Sequence, residues 1–313
     1  MPLISVVIPV YNGEQTIQET VESVLSQTFQ DFELIVINDG STDSTLDVLS
    51  RFSDSRLHVF SYPNAGLPAS RNRGIDRASG ELIAFIDADD LWTPDKLESH
   101  QQILQDNPQV TVVYSWTDYI DEKGQFLHPG LHISVQGNAY PDLLRSNILE
   151  NGSNPLIRRV AFEAVGTFDE SLRAAEDWDM WIRLSEKYPF ATVPAPQVLY
   201  RVSSTSMSTN VKRQETETLK VIQKAFAQAP AGYQPLKTIT LATLHKYLLC
   251  KALEGTPHPE KGRQALDQLW KYIQYEPEWR SRSKFILTML AKSLTTAALL
   301  SSAAKMILEK EKI

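Results

Sequence analysis

The sequence predicts an α/β protein in which a mostly parallel sheet is flanked by helices and followed by a C-terminal helical region. Three observations predict this fold. Short β-branched apolar runs alternate with helical periodicity over residues 1–90, a pattern typical of right-handed βαβ units. Strand-forming segments fade after residue 209, where helix-forming residues dominate. Hydrophobic residues make up 42% of the 313 residues, which is enough for a packed interior.

The elements of the first 90 residues follow from their periodicity. Residues 4–10 are a short apolar, β-branched run, as expected of a strand buried on both faces. Ile17, Val21 and Val24 recur at helical spacing. Gly80 is placed to end a helix as its C-cap. We predict strands over 4–10, 32–37, 57–60 and 81–86 and helices over 16–27, 44–52 and 69–78.

The middle of the chain is predicted to mix helix and strand before the helical region begins. Pro94 stands just inside a predicted helix, which is a favoured position for proline. We predict helices over 94–105 and 178–188, strands over 110–115, 154–158 and 198–201, and a loop over 128–138. Four further helices are predicted over 211–228, 234–253, 261–274 and 284–309. The chain therefore divides into an α/β domain over 1–208 and a helical region over 209–313.

The composition excludes several classes of protein. The formal net charge of −7 argues against sequence-independent nucleic-acid binding, because such binding needs a basic surface. Cys250 is the only cysteine, so an intramolecular disulfide and a cysteine metal cluster are both excluded, and a cytoplasmic location is expected. No secretory signal is recognised at the start of the sequence. Residues 285–300 are too short and too polar for a membrane span, but they suit a core helix or a membrane-surface helix.

Acidic residues stand at the predicted carboxyl ends of two strands. Asp39 follows one strand, and Asp87-Ala88-Asp89-Asp90 follows another. Ligands of parallel α/β sheets bind beyond these strand ends, so both groups are expected to face one crevice. Asp87 and Asp89 project to the same side of a strand, and two carboxylates suit Mg²⁺ or Mn²⁺. Capping of the next turn or helix explains these aspartates equally well when they are taken alone.

Three further groups have both a functional and a structural interpretation. Asp39 can accept hydrogen bonds from a base or ribose, but its surroundings also favour a turn. Arg71 and Arg73 can bind a diphosphate or stack on a base, or they can line a solvated helix face. Asp177, in Glu176-Asp177-Trp178, can act as a general base toward an acceptor hydroxyl. Alternatively it occupies the first turn of a helix, where negative charge is favourable and the carboxylate stays ionised.

Several competing motifs are missing from the sequence. The first strand leads into Pro9-Val10-Tyr11-Asn12-Gly13-Glu14 rather than a G-x-G-x-x-G turn, so a dinucleotide fingerprint is absent. The sequence also contains neither a P-loop nor a G-x-S-x-G motif, which disfavours NTPases and α/β-hydrolases. His128 and His132 are four residues apart, but Pro129-Gly130 between them breaks the helix that a metal-binding pair needs.

Five motifs occur in order along the chain. They are Val6-Val-Ile-Pro-Val-Tyr-Asn12, Asn38-Asp-Gly-Ser-Thr-Asp43, Ala69-Ser-Arg-Asn-Arg-Gly74, Asp87-Ala-Asp-Asp90 and Glu176-Asp177-Trp178. Together with residues 156–159, 166–169 and 200–201, this ordered set closely resembles the family 2 glycosyltransferases, which have the GT-A fold. The resemblance covers residues 3–208 and leaves the C-terminal helical region outside it.

The resemblance implies an inverting, hexosyltransferase-type enzyme that moves a sugar from a nucleotide diphosphate, usually UDP, to a hydroxyl acceptor. Pro9, Val10 and Tyr11 would line the nucleotide pocket. Asp39 would bind the base, and Arg71 would lie near the nucleotide or the diphosphate.

The resemblance also assigns the acids. Asp87 would contact the ribose, or the metal through water, and Asp89 of this DXD motif would be the direct ligand of Mg²⁺ or Mn²⁺. Asp177 would be the catalytic base. By family analogy, the acceptor is a glycan, a lipid-linked sugar or another hydroxyl compound in cell-surface polysaccharide or glycolipid synthesis. The C-terminal helices lie outside the resemblance, and they are expected to bind the acceptor, another subunit or, peripherally, the inner face of the membrane.

One position departs from the family pattern. Many relatives have a histidine two residues after Tyr200-Arg201 that helps to hold the metal or diphosphate, whereas this chain has Ser203. Two alternatives therefore stay open. A nucleotidyltransferase would use similar nucleotide and metal geometry without needing Asp177, and a catalytically inactive nucleotide-sugar-binding regulator is favoured only by Ser203.

Overall fold

The structure is a computed structural model that describes the backbone of residues 1–203 and 210–310 and the side chains of residues 1–203 and 210–298. The chain divides into two compact units. The first comprises Met1–Leu143 and Asn147–Ser203, and the second comprises Leu144–Ser146 and Ser204–Ile313. The boundary predicted between residues 208 and 209 lies outside the described residues and stays a prediction.

The described part of the first unit contains one sheet of nine strands. Their bounds are β1 Ile4–Val10, β2 Phe32–Asn38, β3 Leu57–Ser61, β4 Leu82–Phe85, β5 Leu91–Trp92, β6 Val112–Ile120, β7 Phe126–Pro129, β8 Leu156–Arg158 and β9 Phe190–Arg201. The strand order is β3-β2-β1-β4-β8-β6-β9-β5, and β7 pairs with β6. The pairs β1–β2, β1–β4, β2–β3 and β6–β9 are parallel and contain most of the paired residues. This confirms the predicted α/β class.

The parallel half of the sheet brings its strand ends to one edge. Val10 at the end of β1 pairs with Asn38 at the end of β2, and Val7 of β1 pairs with Phe85 of β4. All 7 residues of β1 are buried, as expected of a central parallel strand covered on both faces. The register therefore aligns the residues that follow β2 and β4 along the edge where α/β proteins bind ligands.

Seven helices precede residue 203. They are α1 Ile17–Leu25, α2 Thr45–Leu49, α3 Leu67–Arg77, α4 Lys96–Asp106, α5 Tyr140–Arg145, α6 Val160–Val165 and α7 Glu176–Lys187. Helix α3 packs closely on β1 because Gly74 has no side chain. A Cβ at this position would lie only 2.2 Å from Val7 Cγ1. This contact fixes the side chains of α3 relative to the strand ends.

Several predicted details are wrong. Pro94, predicted just inside a helix, lies before α4, which begins at Lys96. Gly80 does not cap α3, which ends at Arg77. A Cβ on Gly80 would lie 2.8 Å from the backbone nitrogen of Ser5, so the absence of a side chain allows a close backbone contact with β1. The helix predicted to begin at residue 178 begins at Glu176. Residues 128 and 129, predicted as loop, belong to β7.

The second unit is helical. Its helices are α8 Val211–Gln228, α9 Leu236–Ala252, α10 Pro259–Tyr275 and α11 Ser283–Lys310, each within two residues of a predicted helix. Apolar side chains from α8, α9 and α10 are buried, among them Val221, Ile222, Leu248, Leu249 and Leu269. None of the described helices has the length and apolar character needed to cross a membrane.

Candidate active site

Arg71 on α3 pairs with acids from two distant parts of the chain. Its Nη1 donates to Glu176 Oε1 at 2.6 Å, and its Nη2 donates to Asp87 Oδ1 at 2.6 Å. The Arg71 side chain is only 1% exposed, so a solvated helix face is the wrong interpretation of this residue. Arg71 therefore joins the turn after β4 to the start of α7.

The space around the Arg71 guanidinium is shaped by small and aromatic neighbours. A Cβ on Gly152 would lie 2.2 Å from Arg71 Nη2, so a side chain at residue 152 would displace the guanidinium. The guanidinium carbon lies 5.4 Å from the centroid of the Phe168 ring, within range of a cation–π interaction. Burial opposes the charged form, but the carboxylates of Asp87 and Glu176 outweigh it and raise the pKa of Arg71.

The turn Asp87–Asp90 is anchored through its last residue. Ser153 Oγ accepts a 2.9 Å hydrogen bond from the backbone N–H of Asp87 and donates to Asp90 Oδ2. The backbone N–H of Arg201 donates to Asp90 Oδ1 at 3.0 Å, and Arg201 Nε donates to the Asp89 carbonyl oxygen at 2.8 Å. Burial, and then the charge of Asp89, raise the pKa of Asp90 well above its usual range. Asp90 is therefore a structural residue that holds Asp87 and Asp89 in place.

Asp89 combines partial burial with a like-charged neighbour. Burial, and then the charge of Asp87, raise the pKa of Asp89 to about 6, while Arg201 acts in the opposite direction. A divalent cation would relieve this repulsion, since carboxylate oxygens are its preferred ligands. Within the described residues, no group of three or more His, Cys, Asp or Glu side chains is arranged to hold a metal ion. A cation bound at Asp89 would therefore need oxygen ligands from a substrate or water.

The first turn of α7 is set by an unusual backbone conformation and a buried tryptophan. Ala175, directly before the helix, has a φ of 58°, which is uncommon for alanine. Trp178 Nε1 donates to the carbonyl oxygen of Leu143 at 2.8 Å. These contacts fix the direction in which Glu176 and Asp177 leave the helix.

Asp177 has a strongly perturbed carboxyl group. Its Oδ2 accepts a 3.1 Å hydrogen bond from Asn147 Nδ2, and its Oδ1 accepts one of 2.7 Å from the backbone N–H of Trp178. Burial, and then the charge of Glu176, raise the pKa of Asp177 to about 7, whereas Arg71 acts in the opposite direction. The helix N-terminus was expected to keep Asp177 ionised, but burial and Glu176 outweigh it.

Asp39 holds the loop that leads into α3. Its Oδ1 accepts hydrogen bonds from the backbone N–H of Ala65 at 3.0 Å and from Arg73 Nη1 at 2.8 Å, and its Oδ2 accepts one from the N–H of Gly66 at 2.8 Å. Arg73 also lies over the ring of Tyr62, 4.7 Å from its centroid. Asp39 therefore anchors a loop that is remote in sequence rather than a turn of its own, and its contact with a base stays a prediction.

The residues expected to line the nucleotide pocket differ in exposure. Pro9 and Val10 are buried at the end of β1, and the Val10 carbonyl oxygen accepts a 2.8 Å hydrogen bond from the N–H of Asp39. Tyr11 is 55% exposed, so its ring is accessible at the strand-end edge. Ser203 follows β9, but residues 204–207 of the same segment lie outside the described residues, and the role of Ser203 stays a prediction.

Three residues that hold the site were missed from the sequence. Asn147 bonds to Asp177, Gly152 makes room for Arg71, and Ser153 joins two parts of the acidic turn. All three lie in one polar stretch, residues 147–154, directly before β8. A polar run leading into a buried strand was the available signal, because buried polar groups need hydrogen-bond partners.

Solved structures with this fold define the class of protein. S. aureus TarS 1–349 in complex with UDP-GlcNAc matches with a TM-score of 0.64 over 97% of this chain and 91% of that chain, at 18% identity. The mannosyltransferase PcManGT from Pyrobaculum calidifontis in complex with GDP-Man and Mn²⁺ matches with a TM-score of 0.62 over 95% of this chain and 86% of that chain, at 19% identity. The chain is thus a GT-A-type α/β protein.

Sequence comparison then identifies the family. The family model described as glycosyltransferase like family 2 matches residues 5–252, and this chain belongs to that family, as the ordered motifs predicted. The putative teichuronic acid biosynthesis glycosyltransferase TuaG of Bacillus subtilis is 32% identical over 67% of this chain and 82% of its own length. An uncharacterized glycosyltransferase of Rickettsia typhi is 36% identical over 60% of this chain. This chain spans 61% of the length of that relative. It spans 32% of the length of an uncharacterized glycosyltransferase of Rickettsia felis.

Proposed function

We propose that the protein transfers a sugar, with inversion, from a nucleotide diphosphate to a hydroxyl acceptor, with UDP as the nucleotide. The observation that carries the proposal is the pairing of Arg71 with both Asp87 and Glu176. Through it Asp87, assigned to the ribose or to the metal through water, and Glu176, the chain neighbour of Asp177, meet around one guanidinium. Membership of the glycosyltransferase family and the nucleotide sugars in the two solved structures support this choice.

Asp177 would act as the general base. A carboxyl group with a pKa of about 7 is partly ionised at neutral pH and well matched to accept a proton there. The acceptor hydroxyl would lose its proton to Asp177 as its oxygen bonds to the anomeric carbon and the bond from that carbon to the diphosphate oxygen breaks. One displacement inverts the anomeric carbon without a covalent enzyme intermediate.

The donor set fits Mg²⁺ or Mn²⁺. Asp89 would hold the ion, and Asp87 would contact the ribose, or the ion through water. Both are hard oxygen ligands, and such ions commonly take one or two carboxylates together with substrate phosphates. When bound, the ion supplies positive charge that stabilises the leaving diphosphate. Asp90, Ser153 and Arg201 would keep the turn that carries both carboxylates in position.

The nucleotide would bind at the end of β1 and β2. Pro9 and Val10 would contribute backbone contacts, the exposed ring of Tyr11 would contact the base, and Asp39 would bind the base from the end of β2. Both terminal nitrogens of Arg71 already donate to carboxylates. Arg71 would therefore serve the nucleotide mainly by holding Asp87 in place.

The acceptor would be a glycan, a lipid-linked sugar or another hydroxyl compound of cell-surface polysaccharide or glycolipid synthesis. The name of TuaG, of which this chain covers 82%, supports a polysaccharide pathway. The cytoplasmic location expected from the sequence stays a prediction.

A donor screen followed by a transfer assay tests the proposal. Thermal unfolding with Mn²⁺ and a panel of UDP-sugars and GDP-mannose should reveal the donor, because a ligand of the folded state raises the melting temperature. Replacement Asp177→Asn should lower kcat by about 10²–10⁴-fold while UDP and Mn²⁺ still bind. The control is Asp76→Asn on the exposed side of α3, which should transfer sugar normally.

Three outcomes would reject parts of the proposal. Normal turnover by the Asp177→Asn variant would remove the base assignment. Release of pyrophosphate from UTP and a sugar phosphate, without release of UDP from any UDP-sugar, would indicate the nucleotidyltransferase alternative. Donor binding by the wild type with no transfer to any acceptor class would favour the inactive regulator.

A further inference from the structure

The C-terminal region is basic although the chain as a whole is acidic. Residues 209–313 contain 17 Lys and Arg against 9 Asp and Glu, a net charge of +8. Residues 1–208 contain 14 Lys and Arg against 29 Asp and Glu, a net charge of −15. An anionic surface would attract residues 209–313 and repel residues 1–208. The net charges therefore favour contact with such a surface through the C-terminal region.

Helix α11 exposes a row of leucines. Leu287, Leu290 and Leu294 are 64%, 36% and 51% exposed. Their spacing of three and four residues places them on one face of the helix. Ile286 and Met289 are buried instead, so α11 already contributes a separate face to the interior of its unit. A second apolar face directed at water marks a contact surface.

The leucine face is accompanied by basic residues and by an exposed tryptophan. Between residues 283 and 308 the sequence contains Lys284, Lys292 and Lys305 and neither Asp nor Glu. Lys284 and Lys292 are exposed, and Trp279, just before the helix, is 44% exposed. Leucine, tryptophan and lysine in this arrangement are typical of helices that lie in the interfacial layer of a membrane.

We propose that α11 binds peripherally to a membrane surface containing anionic lipids. Leu287, Leu290 and Leu294 would enter the boundary between headgroups and acyl chains, and Lys284, three residues before Leu287 and beside the leucine face, would contact lipid phosphates. A second copy of the chain is a poorer occupant, because pairing two regions of charge +8 brings like charges together. A nucleic acid would contact the lysines but has no use for exposed leucines. The proposal is independent of sugar transfer.

Co-sedimentation of the full chain with lipid vesicles tests the proposal without donor, acceptor or metal. The wild type should bind vesicles of phosphatidylcholine with phosphatidylglycerol, bind phosphatidylcholine alone more weakly, and lose affinity as salt rises. The triple variant Leu287→Gln, Leu290→Gln and Leu294→Gln should bind anionic vesicles at least about tenfold more weakly. Lys284→Gln should reduce affinity about fivefold, whereas Lys292→Gln, on the side of α11 opposite the leucines, should reduce it less. Leu46→Gln replaces a 42% exposed leucine of α2 and should bind like the wild type.

Other results would overturn the proposal. Absence of wild-type binding to anionic vesicles would do so, as would equal binding by the wild type and the triple variant. A wild type that self-associates without binding vesicles, and a triple variant that is monomeric, would assign the leucine face to a second copy. Far-UV circular dichroism checks that the triple variant is folded. If it is not, Lys284→Gln decides, and unchanged affinity in that variant would refute the contact with lipid phosphates.

Discussion

Replacing Asp177 with asparagine is expected to stabilise the protein above pH 7 while removing its activity. Burial and the charge of Glu176 raise the pKa of Asp177 from 3.8 to about 7. Each pKa unit corresponds to about 1.4 kcal/mol, so the ionised carboxylate destabilises the fold by at most about 4 kcal/mol. Asp177 is partly exposed, and nearby solvent weakens the effect, so we expect about 2 kcal/mol. That corresponds to a rise in melting temperature of about 4–8 °C.

The pH dependence of this effect has a definite sign. The pKa of Asp177 in the folded state lies above the value of 3.8 for the unfolded state, so the folded protein binds this proton more tightly. The destabilisation by Asp177 is therefore absent below about pH 4 and complete above about pH 7. The difference in melting temperature between variant and wild type should grow between these limits and then stay constant.

The hydrogen bonds around Asp177 can accommodate the amide. Asn147 Nδ2 donates to Asp177, and Asn147 Oδ1 is a buried acceptor without a hydrogen-bond partner among the described residues. Turning the Asn147 amide over would let Oδ1 accept from the new amide group. Thermal unfolding from pH 4.5 to 8.5, with Asp76→Asn as control, measures the effect. A difference that is constant across this range, or a variant less stable than the wild type at pH 8, would refute the reasoning.

Three further predictions concern the acids and the arginine of the site. Asp89→Asn should abolish both transfer and the rise in melting temperature caused by Mn²⁺, and a retained metal-dependent rise would exclude Asp89 as the ligand. Arg71→Lys, which cannot bridge two carboxylates, should lower the free energy of unfolding by about 2–4 kcal/mol. Because the charge of Glu176 is then less neutralised, the pKa of Asp177 should rise, and the acidic limb of the kcat/KM profile should move to higher pH. An unmoved limb would show that Arg71 does not tune the pKa of Asp177. Gly152→Ala places a Cβ 2.2 Å from Arg71 Nη2, so it should lower the free energy of unfolding by about 1–3 kcal/mol. An unchanged melting temperature would mean that the space around the Arg71 guanidinium can take a methyl group.

The sequence by itself determined the elements and the strand-end position of the acids. Residues 4–10 form β1 because a continuous β-branched run suits a strand covered on both faces, and α8 has the predicted bounds 211–228. Asp39 and Asp87 stand at strand ends for an equally local reason, since each directly follows an apolar run. These features depend on neighbouring residues, which periodicity and turn chemistry describe well.

Only the tertiary structure decided which of these residues meet and in what protonation state. Arg71 and Glu176 are 105 residues apart in the chain, and their pairing depends on where α3 and the start of α7 lie in the packed unit. The same packing places Asp177, partly buried, beside Glu176, which reversed the expectation of a readily ionised carboxylate. Gly80 and Gly152 are likewise needed for close approach to segments that are remote in sequence. Burial and charge pairing are properties of the packed chain, whereas the local pattern at each residue contains no information about its distant neighbours.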